Sequence, residues 1–305
     1  MSRTVYVNGE FLPEENAKIS VFDRGFLFAD AAYEVFPVLG GGIADAQAHL
    51  ARLGRSLDEL NFPAFYTTDE YLPLLKTLVR NNKLEEGLVY IQVTRGAQDR
   101  DFNFPKDTDP SVVMFTQKKE VADNPQANIG ISVVTVPDIR WQRCDIKTVS
   151  LLPACLAKAE ASRQGADDAW MHDEENNITE GSSNNAYIIT RDGKLITRQL
   201  SQAILHGITR VSVLKLLEQT NLILEERPFS IAEAQAAKEA FCTSASAFVM
   251  PVVKINGENI ADGKPGPHAL ELRKLCIGAA IESAAEAQAT RPRRPKRPKQ
   301  VDKAK

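Results

Sequence analysis

The chain has 305 residues, of which 43% are hydrophobic and 25% are charged, which is enough for a sizeable core and two subdomains. No apolar run of about 18 residues occurs, so no membrane span is expected. The net charge of −3 is unevenly distributed: residues 291–305 carry eight Lys or Arg and one acid, which leaves about −10 on the rest of the chain. A mildly acidic chain of this kind argues against nucleic acid as the main partner.

The first third of the chain is predicted to alternate short strands with helices. TVYVNGEFL is typical of a hairpin that turns at Asn8-Gly9 and not of a signal peptide, so we expect a cytoplasmic protein. Strands are expected within RGFLFADAAYEVFPVLGG, LVYIQVTRG and SVVMFTQ, and helices over AQAHLARLGRSLDEL and TDEYLPLLKTLVRNNKL. The polar stretch KKEVADNPQAN predicts a linker, so one domain is expected over residues 1–120 and a second over residues 128–286.

The second domain is predicted to begin with the strand IGISVVTVP. Pro153 can open a helix that Gly165 ends, and Asp192-Gly193 marks a hairpin turn. Helices are expected over GITRVSVLKLLEQTN, after the capping box at Ser230, and over HALELRKLCIGAAIESAAEAQ, with two strands in AFCTSASAFVMPVVKINGENI. Residues 287–305 form a basic, proline-containing tail with few hydrophobic residues, which predicts disorder.

The four cysteines and four histidines are dispersed along the chain, without C-x-x-C or any other spacing typical of zinc ligands. We therefore expect neither a metal site nor a disulfide framework.

One stretch carries two side chains of catalytic interest. Lys158 lies in the short, Ala-rich helix that Pro153 opens, among apolar neighbours in the sequence, so we expect a partly desolvated amine that is usable as a nucleophile. Glu180 is a lone carboxylate at the end of an apolar strand, followed by a Gly-Ser-Ser-Asn turn rich in hydrogen-bond donors. Each residue alone is more often a solvated surface charge or a helix cap.

The two residues occur together in the order DIK…LLPxxLAKxEA…TEGSSxN, and this combination favours a catalytic role for both. It resembles the pyridoxal-phosphate (PLP) transaminases of fold type IV, and among them the D-amino acid transaminases, over roughly residues 6–281. The resemblance implies an α/β (α+β) fold of two domains, with PLP held as a Schiff base on Lys158. It also implies that Lys158 shuttles the proton at the substrate α-carbon, while Glu180 keeps the pyridine nitrogen protonated.

The resemblance extends to the rest of the cofactor site. Arg52 matches an arginine that pairs with the phosphate, and the amides of Ile208 and Thr209, at a helix start, match its phosphate cup. Leu205 matches the apolar residue that packs on one face of the ring. The turn containing Ser244 and Ala245 resembles a second phosphate-contacting loop, although the family usually has Thr where Ala245 stands.

On the substrate side, Tyr33 matches a tyrosine near the catalytic lysine and the substrate carboxylate. Arg100 lies in the loop where many D-amino acid transaminases carry Arg-x-His, and Phe102 replaces the histidine. In that family the Arg and His reach over from the partner subunit, so the resemblance implies a homodimer. Losing one donor of a buried carboxylate site should weaken binding by about 1–3 kcal/mol.

The function implied is transfer of an amino group between D-amino acids, such as D-alanine and D-glutamate, and 2-oxo acids, such as 2-oxoglutarate and pyruvate. Four alternatives stay open at this point. They are an (R)-selective amine transaminase, a branched-chain transaminase, an aminodeoxychorismate lyase, and a PLP-binding protein without turnover.

Overall fold

Two β-sheets organise the chain, one of six strands and one of nine. They are seen in a computed structural model that describes residues 2–62 and 68–289. Strands of the first sheet all lie within residues 4–118, and those of the second lie within residues 131–259. The stretch predicted from the sequence to carry catalytic side chains therefore belongs to the second sheet and its helices.

The first sheet is antiparallel throughout, in the order β2-β1-β6-β5-β3-β4. Its strands are β1 (Thr4–Val7), β2 (Glu10–Pro13), β3 (Ala31–Leu39), β4 (Gly42–Ile43), β5 (Glu86–Thr94) and β6 (Ser111–Lys118). Its helices are α1 (Arg24–Phe28), α2 (Ala46–Glu59) and α3 (Thr68–Asn81), with a short 3-10 turn at Glu14–Asn16. Leucines of α2 and α3 pack on the sheet and form one core.

The N-terminal hairpin is confirmed: Asn8 and Gly9 both have positive φ, at 47° and 104°, as a tight turn between twisted strands requires. The stretch RGFLFADAAYEVFPVLGG contains strand β3, as predicted, but the helix at its start was not predicted. Residues 24–28 form α1, because the Asp23 side chain accepts the Gly25 N–H and caps the helix, and Ala29 ends it with φ 55°.

The second sheet is mixed, in the order β12-β11-β10-β13-β14-β7-β8-β9, and β15 pairs with β14. Its strands are β7 (Ile131–Pro137), β8 (Asp168–His172), β9 (Ile178–Gly181), β10 (Asn185–Ile189), β11 (Lys194–Thr197), β12 (Ile223–Glu226), β13 (Glu239–Ser244), β14 (Phe248–Ile255) and β15 (Glu258–Asn259). The helices are α4 (Gln126–Ile129), α5 (Leu152–Arg163), α6 (Ile208–Leu216), α7 (Ile231–Gln235) and α8 (Pro267–Ala289), with a 3-10 turn at Leu217–Gln219.

Local signals in this half are confirmed. Pro153 lies in the first turn of α5, and Gly165 follows its end with φ 72°. Ser230 and Glu233 form the predicted capping box of α7, each accepting from the other's backbone N–H.

The last helix, α8, joins the two halves. It packs on β13 and β14 of the second sheet and on β3 and β4 of the first. A single hydrophobic cluster includes Leu39 and Leu88 of the first sheet, Phe241 of the second and Leu272 of α8. The helix runs to Ala289, so residues 287–289 are helical and not part of a disordered tail, while residues 290–305 lie outside the described residues.

No described helix is long and apolar enough to cross a membrane. Within the same residues, no group of three or more His, Cys, Asp or Glu side chains is placed to hold a metal ion.

Candidate active site

A cavity of about 490 Å³ opens between the two sheets and takes its walls from both. Nine of the ten site residues expected from the sequence line it: Tyr33, Arg52, Lys158, Glu180, Leu205, Ile208, Thr209, Ser244 and Ala245. The tenth, Arg100, does not. Lys147 also lines this cavity, and the sequence analysis did not single it out.

Lys147 is fixed against β3 of the first sheet. Its Nζ lies 3.3 Å from the Tyr33 hydroxyl and 4.3 Å from the centre of the Tyr33 ring. The backbone is held as well, because the Tyr33 N–H donates to the Lys147 carbonyl at 3.0 Å and the Lys147 N–H donates to Ser56 Oγ at 3.2 Å. Within the described chain, no carboxylate lies within 4.0 Å of this amine, which leaves it available to a ligand.

Lys158 has a different environment from the one expected. Its side chain is 53% exposed, and its Nζ pairs with Asp168 Oδ1 at 3.1 Å. The apolar neighbours that suggested desolvation, Leu152 and Leu156, are themselves 70% and 52% exposed, because α5 buries only Ala157 and Ala161. These neighbours therefore do not shield the amine as expected, and it is engaged in an ion pair instead.

Asp168 explains what Lys158 does in this structure. The carboxylate is buried at the start of β8 and also accepts from Ser182 Oγ at 2.5 Å and Asn184 Nδ2 at 2.8 Å. Ser182 and Asn184 belong to the Gly-Ser-Ser-Asn turn that lines the cavity. Lys158 is thus part of a polar network that holds this turn against α5.

Glu180, at the end of β9, is a buried carboxylate that faces the cavity. It pairs with the Arg140 guanidinium, and it accepts from Asn185 Nδ2 at 2.9 Å and from the Leu205 N–H at 3.1 Å. Burial raises the pKa of Glu180, and Arg140 and the Leu205 N–H oppose that rise. Arg140 is itself held by Asp138 at 2.7 Å. A carboxylate can accept at about four positions. Because the Leu205 N–H is shared between the two oxygens, at 3.2 and 3.1 Å, a further N–H group in the cavity would displace part of this shared contact.

The N-terminal end of α6 lines the same cavity and is suited to an anion. The N–H groups of Ile208 and Thr209 donate to no acceptor in the described part of the chain, and no side chain caps the helix. The helix dipole adds positive potential there. Gly207 comes directly before Ile208. A Cβ at position 207 would lie 2.1 Å from Asn185 Oδ1, so a side chain there would push the start of α6 away from β10.

Arg52 approaches the same end, but much of its hydrogen-bonding capacity is already used. Nε and Nη2 donate to the two oxygens of Glu34 at 2.7 and 2.9 Å, and Nη1 donates to the His206 carbonyl at 2.9 Å. Glu34 is fully buried, and the Arg52 charge, with the His49 contact at 2.8 Å, lowers its pKa to about 2 against the opposing effect of burial. Two of the five guanidinium N–H groups remain for an anion.

Arg100 lies away from the cavity on the exposed loop that follows β5. Its guanidinium packs 5.2 Å from the ring centres of both Phe28 and Phe102. The Phe102 side chain is 77% exposed. Within one chain, therefore, neither residue can contact a ligand in the cavity.

Four residues of the site were not predicted from the sequence: Lys147, Arg140, Glu34 and His49. Lys147 lies in the DIK segment of the same motif as Lys158, and only the fold shows which of the two amines meets Tyr33. Glu34 follows Tyr33 directly and His49 precedes Arg52 by three positions, so both lay beside predicted site residues.

Comparison with known proteins gives consistent results. Residues 31–255 match the model of the amino-transferase class IV family. The chain is 39% identical to a D-alanine aminotransferase of Staphylococcus aureus (strain MSSA476) over 273 residues, covering 88% of this chain and 95% of that protein. It is 34% identical to the D-alanine aminotransferase of Listeria monocytogenes serotype 4b (strain F2365), covering 92% and 98%.

Among solved structures, the branched-chain amino acid aminotransferase of Escherichia coli has a similar fold, with a TM-score of 0.85, 21% identity and coverage of 93% of this chain and 96% of that one. The branched-chain amino acid aminotransferase of T.th., solved with pyridoxamine 5′-phosphate, superposes with a TM-score of 0.86 at 25% identity, covering 94% and 97%.

Proposed function

The chain belongs to the amino-transferase class IV family, and on that premise we propose that it moves the amino group between D-amino acids, such as D-alanine and D-glutamate, and 2-oxo acids, such as 2-oxoglutarate and pyruvate. The family confirms the predicted fold type IV and the PLP-dependent aminotransferase activity. The D-specific substrate class is supported by the relatives, which are D-alanine aminotransferases at 34% and 39% identity over most of both chains.

The cavity residues fit PLP at three points. Amides of Ile208 and Thr209 with the remaining protons of Arg52 suit a phosphate, and Glu180 suits the protonated ring nitrogen. Lys147 suits the aldehyde. When bound, the cofactor supplies an electrophilic carbonyl and an electron-accepting ring. The observation that carries the proposal is that one cavity unites a half-buried amine without a carboxylate partner, a buried carboxylate and a helix N-terminus without a side-chain cap, each judged among the described residues.

We propose Lys147, in place of Lys158, as the lysine that joins the cofactor and moves the proton at the substrate α-carbon. Its amine is half-buried, contacts the Tyr33 hydroxyl and has no carboxylate within 4.0 Å among the described residues, so a ligand in the cavity can reach it without first breaking an ion pair. Lys158 is more than half exposed, and its Nζ is engaged with Asp168 at 3.1 Å. Lys158 contributes to the site by holding the turn that contains Ser182 and Asn184.

We further propose a homodimer, with Arg100 serving the site of the partner subunit. Arg100 does not line the cavity of its own chain, and the neighbouring phenylalanines Phe26, Phe102 and Phe104 are 71%, 77% and 59% exposed, as a surface covered by a second subunit would be. The four cysteines carry free thiols, which supports a reducing compartment such as the cytoplasm.

Two measurements test these proposals. The holoenzyme, treated with D-alanine and no acceptor, should release one pyruvate per site, and L-alanine should release none. Borohydride reduction of the holoenzyme followed by peptide mass mapping should place the cofactor on Lys147. Pyruvate from L-alanine alone would overturn the substrate proposal, and a label on Lys158 would overturn the lysine assignment.

A further inference from the structure

The turn between β13 and β14 ends in a phenylalanine whose backbone conformation is unfavourable for that residue type. Phe248 is buried and has φ 55°, in the left-handed region that bulky side chains rarely adopt. The preceding residues Ser244, Ala245 and Ser246 line the cavity. In the described part of the chain, the N–H groups of Ala245 and Ser246 donate to no acceptor, so this strained turn adds two unpaired amides to the cavity that the start of α6 also lines.

Arg273 of α8 holds the turn from behind. Its Nη1 donates to the carbonyls of Ala247 and Val249, at 2.6 and 2.8 Å, which are the residues on either side of Phe248. One guanidinium nitrogen therefore fixes the peptide groups that flank the strained residue. Arg273 is buried, and in the described chain it has no carboxylate within 4.0 Å, so backbone carbonyls are its partners.

The other end of the guanidinium holds the linker between the two sheets. Nη2 donates to the carbonyls of Val121 and Ala122, at 3.3 and 2.8 Å. The N–H groups of the same two residues donate to Glu86 Oε1, at the start of β5, at 2.8 and 2.9 Å. Two linker residues are thus held between a carboxylate of the first sheet and a guanidinium that also holds the cavity turn.

We propose that Arg273 is a positioning residue that holds the strained turn of residues 244–248 in the conformation that binds the cofactor phosphate, and that it ties this turn to the linker between the sheets. The four terminal protons of its guanidinium match the four carbonyls, and a lysine could not bracket Phe248 in this way. The proposal rests on the proposed function, because it assigns the phosphate of PLP to this turn.

The test separates phosphate binding from general stability. The full chain is titrated with pyridoxamine 5′-phosphate and with pyridoxamine, which lacks the phosphate, and the ratio of the two dissociation constants is measured. Arg273→Met should reduce the preference for the phosphorylated compound by about 10-fold or more, which corresponds to one lost charge-assisted contact. Arg273→Lys, the variant expected to fold in any case, should show a smaller loss of the same preference.

Glu86→Ala is the matched control. It releases the linker from the first sheet without touching the turn, so it should lower the melting temperature but keep the preference within about 2-fold of wild type. A wild-type preference in both Arg273 variants overturns the proposal, and so does an equal loss in Glu86→Ala. If the wild-type chain itself shows no preference for the phosphorylated compound, the assigned cofactor site fails, which distinguishes that failure from a failure of the role of Arg273.

Discussion

Two walls of the cavity carry a lysine each, and they differ in how the amine is held. Lys147 lies in an irregular segment that hydrogen bonds to β3, and its amine rests against the ring and hydroxyl of Tyr33. Lys158 lies on a regular helix, and its amine is paired with Asp168 in partial contact with solvent. The comparison shows that apolar neighbours in sequence do not desolvate an amine on a helix whose apolar side chains face outwards.

The largest expected difference between the walls is catalytic. Lys147→Ala should lower kcat with D-alanine and 2-oxoglutarate by about 10³-fold, because both the cofactor linkage and the proton transfer depend on that amine. Lys158→Ala should keep kcat within about 10-fold, since it removes one anchor of a turn. Steady-state rates of the two variants at saturating PLP provide the measurement. The comparison is reversed if Lys158→Ala is the inactive one.

The second-largest expected difference between the two walls concerns stability. Each wall has a carboxylate with a low pKa, but substituting them should change the free energy of unfolding by different amounts. The pKa of Glu34 is lowered to about 2 by Arg52 against the opposing effect of burial, and hydrogen bonds from Arg163 lower that of Glu160, on the surface of α5, to about 2. Only Glu34 is buried, so Glu34→Gln should destabilise the fold at pH 7 by about 3–5 kcal/mol, because it leaves the Arg52 charge uncompensated. Glu160→Gln should leave the free energy of unfolding nearly unchanged.

The pH dependence follows from the direction of the shift. A carboxyl whose folded pKa lies below its ordinary value stabilises the fold above that ordinary value, near 4.5, and loses this contribution as the pH falls towards 2. The difference in unfolding free energy between wild type and Glu34→Gln, measured by urea titration, should therefore become smaller as the pH falls from about 5 to about 3. A gap that stays constant with pH contradicts the role given to the Glu34 carboxylate.

Substitutions in the wall around Lys158 should lower the free energy of unfolding less than Glu34→Gln does. The two members of the ion pair, Asp168 and Lys158, should also differ from each other. Asp168→Asn should cost about 1–3 kcal/mol, because the buried carboxylate also accepts from Ser182 and Asn184. Lys158→Met should cost less than about 1 kcal/mol, because its half of the ion pair is 53% exposed. Urea unfolding of the two single variants measures both. Equal costs would mean that the ion pair, and not the turn, is what Asp168 stabilises.

Much of the fold follows from local patterns in the sequence. The Asn8-Gly9 hairpin and the capping box at Ser230 depend on neighbouring residues, and both are present. Helix α1 was missed because its cap, the Asp23 side chain, competes with an apolar run typical of a strand. Most residues predicted from the motif line one cavity. The motif could not show which of the two lysines contacts Tyr33, because that contact depends on the pairing of residue 33 with residue 147, which are far apart in the sequence.

The smallest predicted effect isolates the contact that distinguishes Lys147. Tyr33→Phe removes the hydroxyl, 3.3 Å from Nζ, but keeps the ring face, 4.3 Å from the same atom. It should lower kcat by about 2–10-fold, the value of one hydrogen bond, whereas Tyr33→Leu removes both contacts and should lower it further.

Tyr90→Phe is the matched control for this contact. Tyr90 lines the cavity and stacks on Tyr33, but its hydroxyl donates to Gln92 at 2.8 Å and not to a lysine. Its loss should leave kcat unchanged within about 2-fold, because no reacting group depends on it. A loss of kcat in Tyr90→Phe as large as that in Tyr33→Phe would show that the rate follows general polarity in the cavity. A loss confined to the Tyr33 variants ties it to the one hydroxyl and one ring that hold the Lys147 amine.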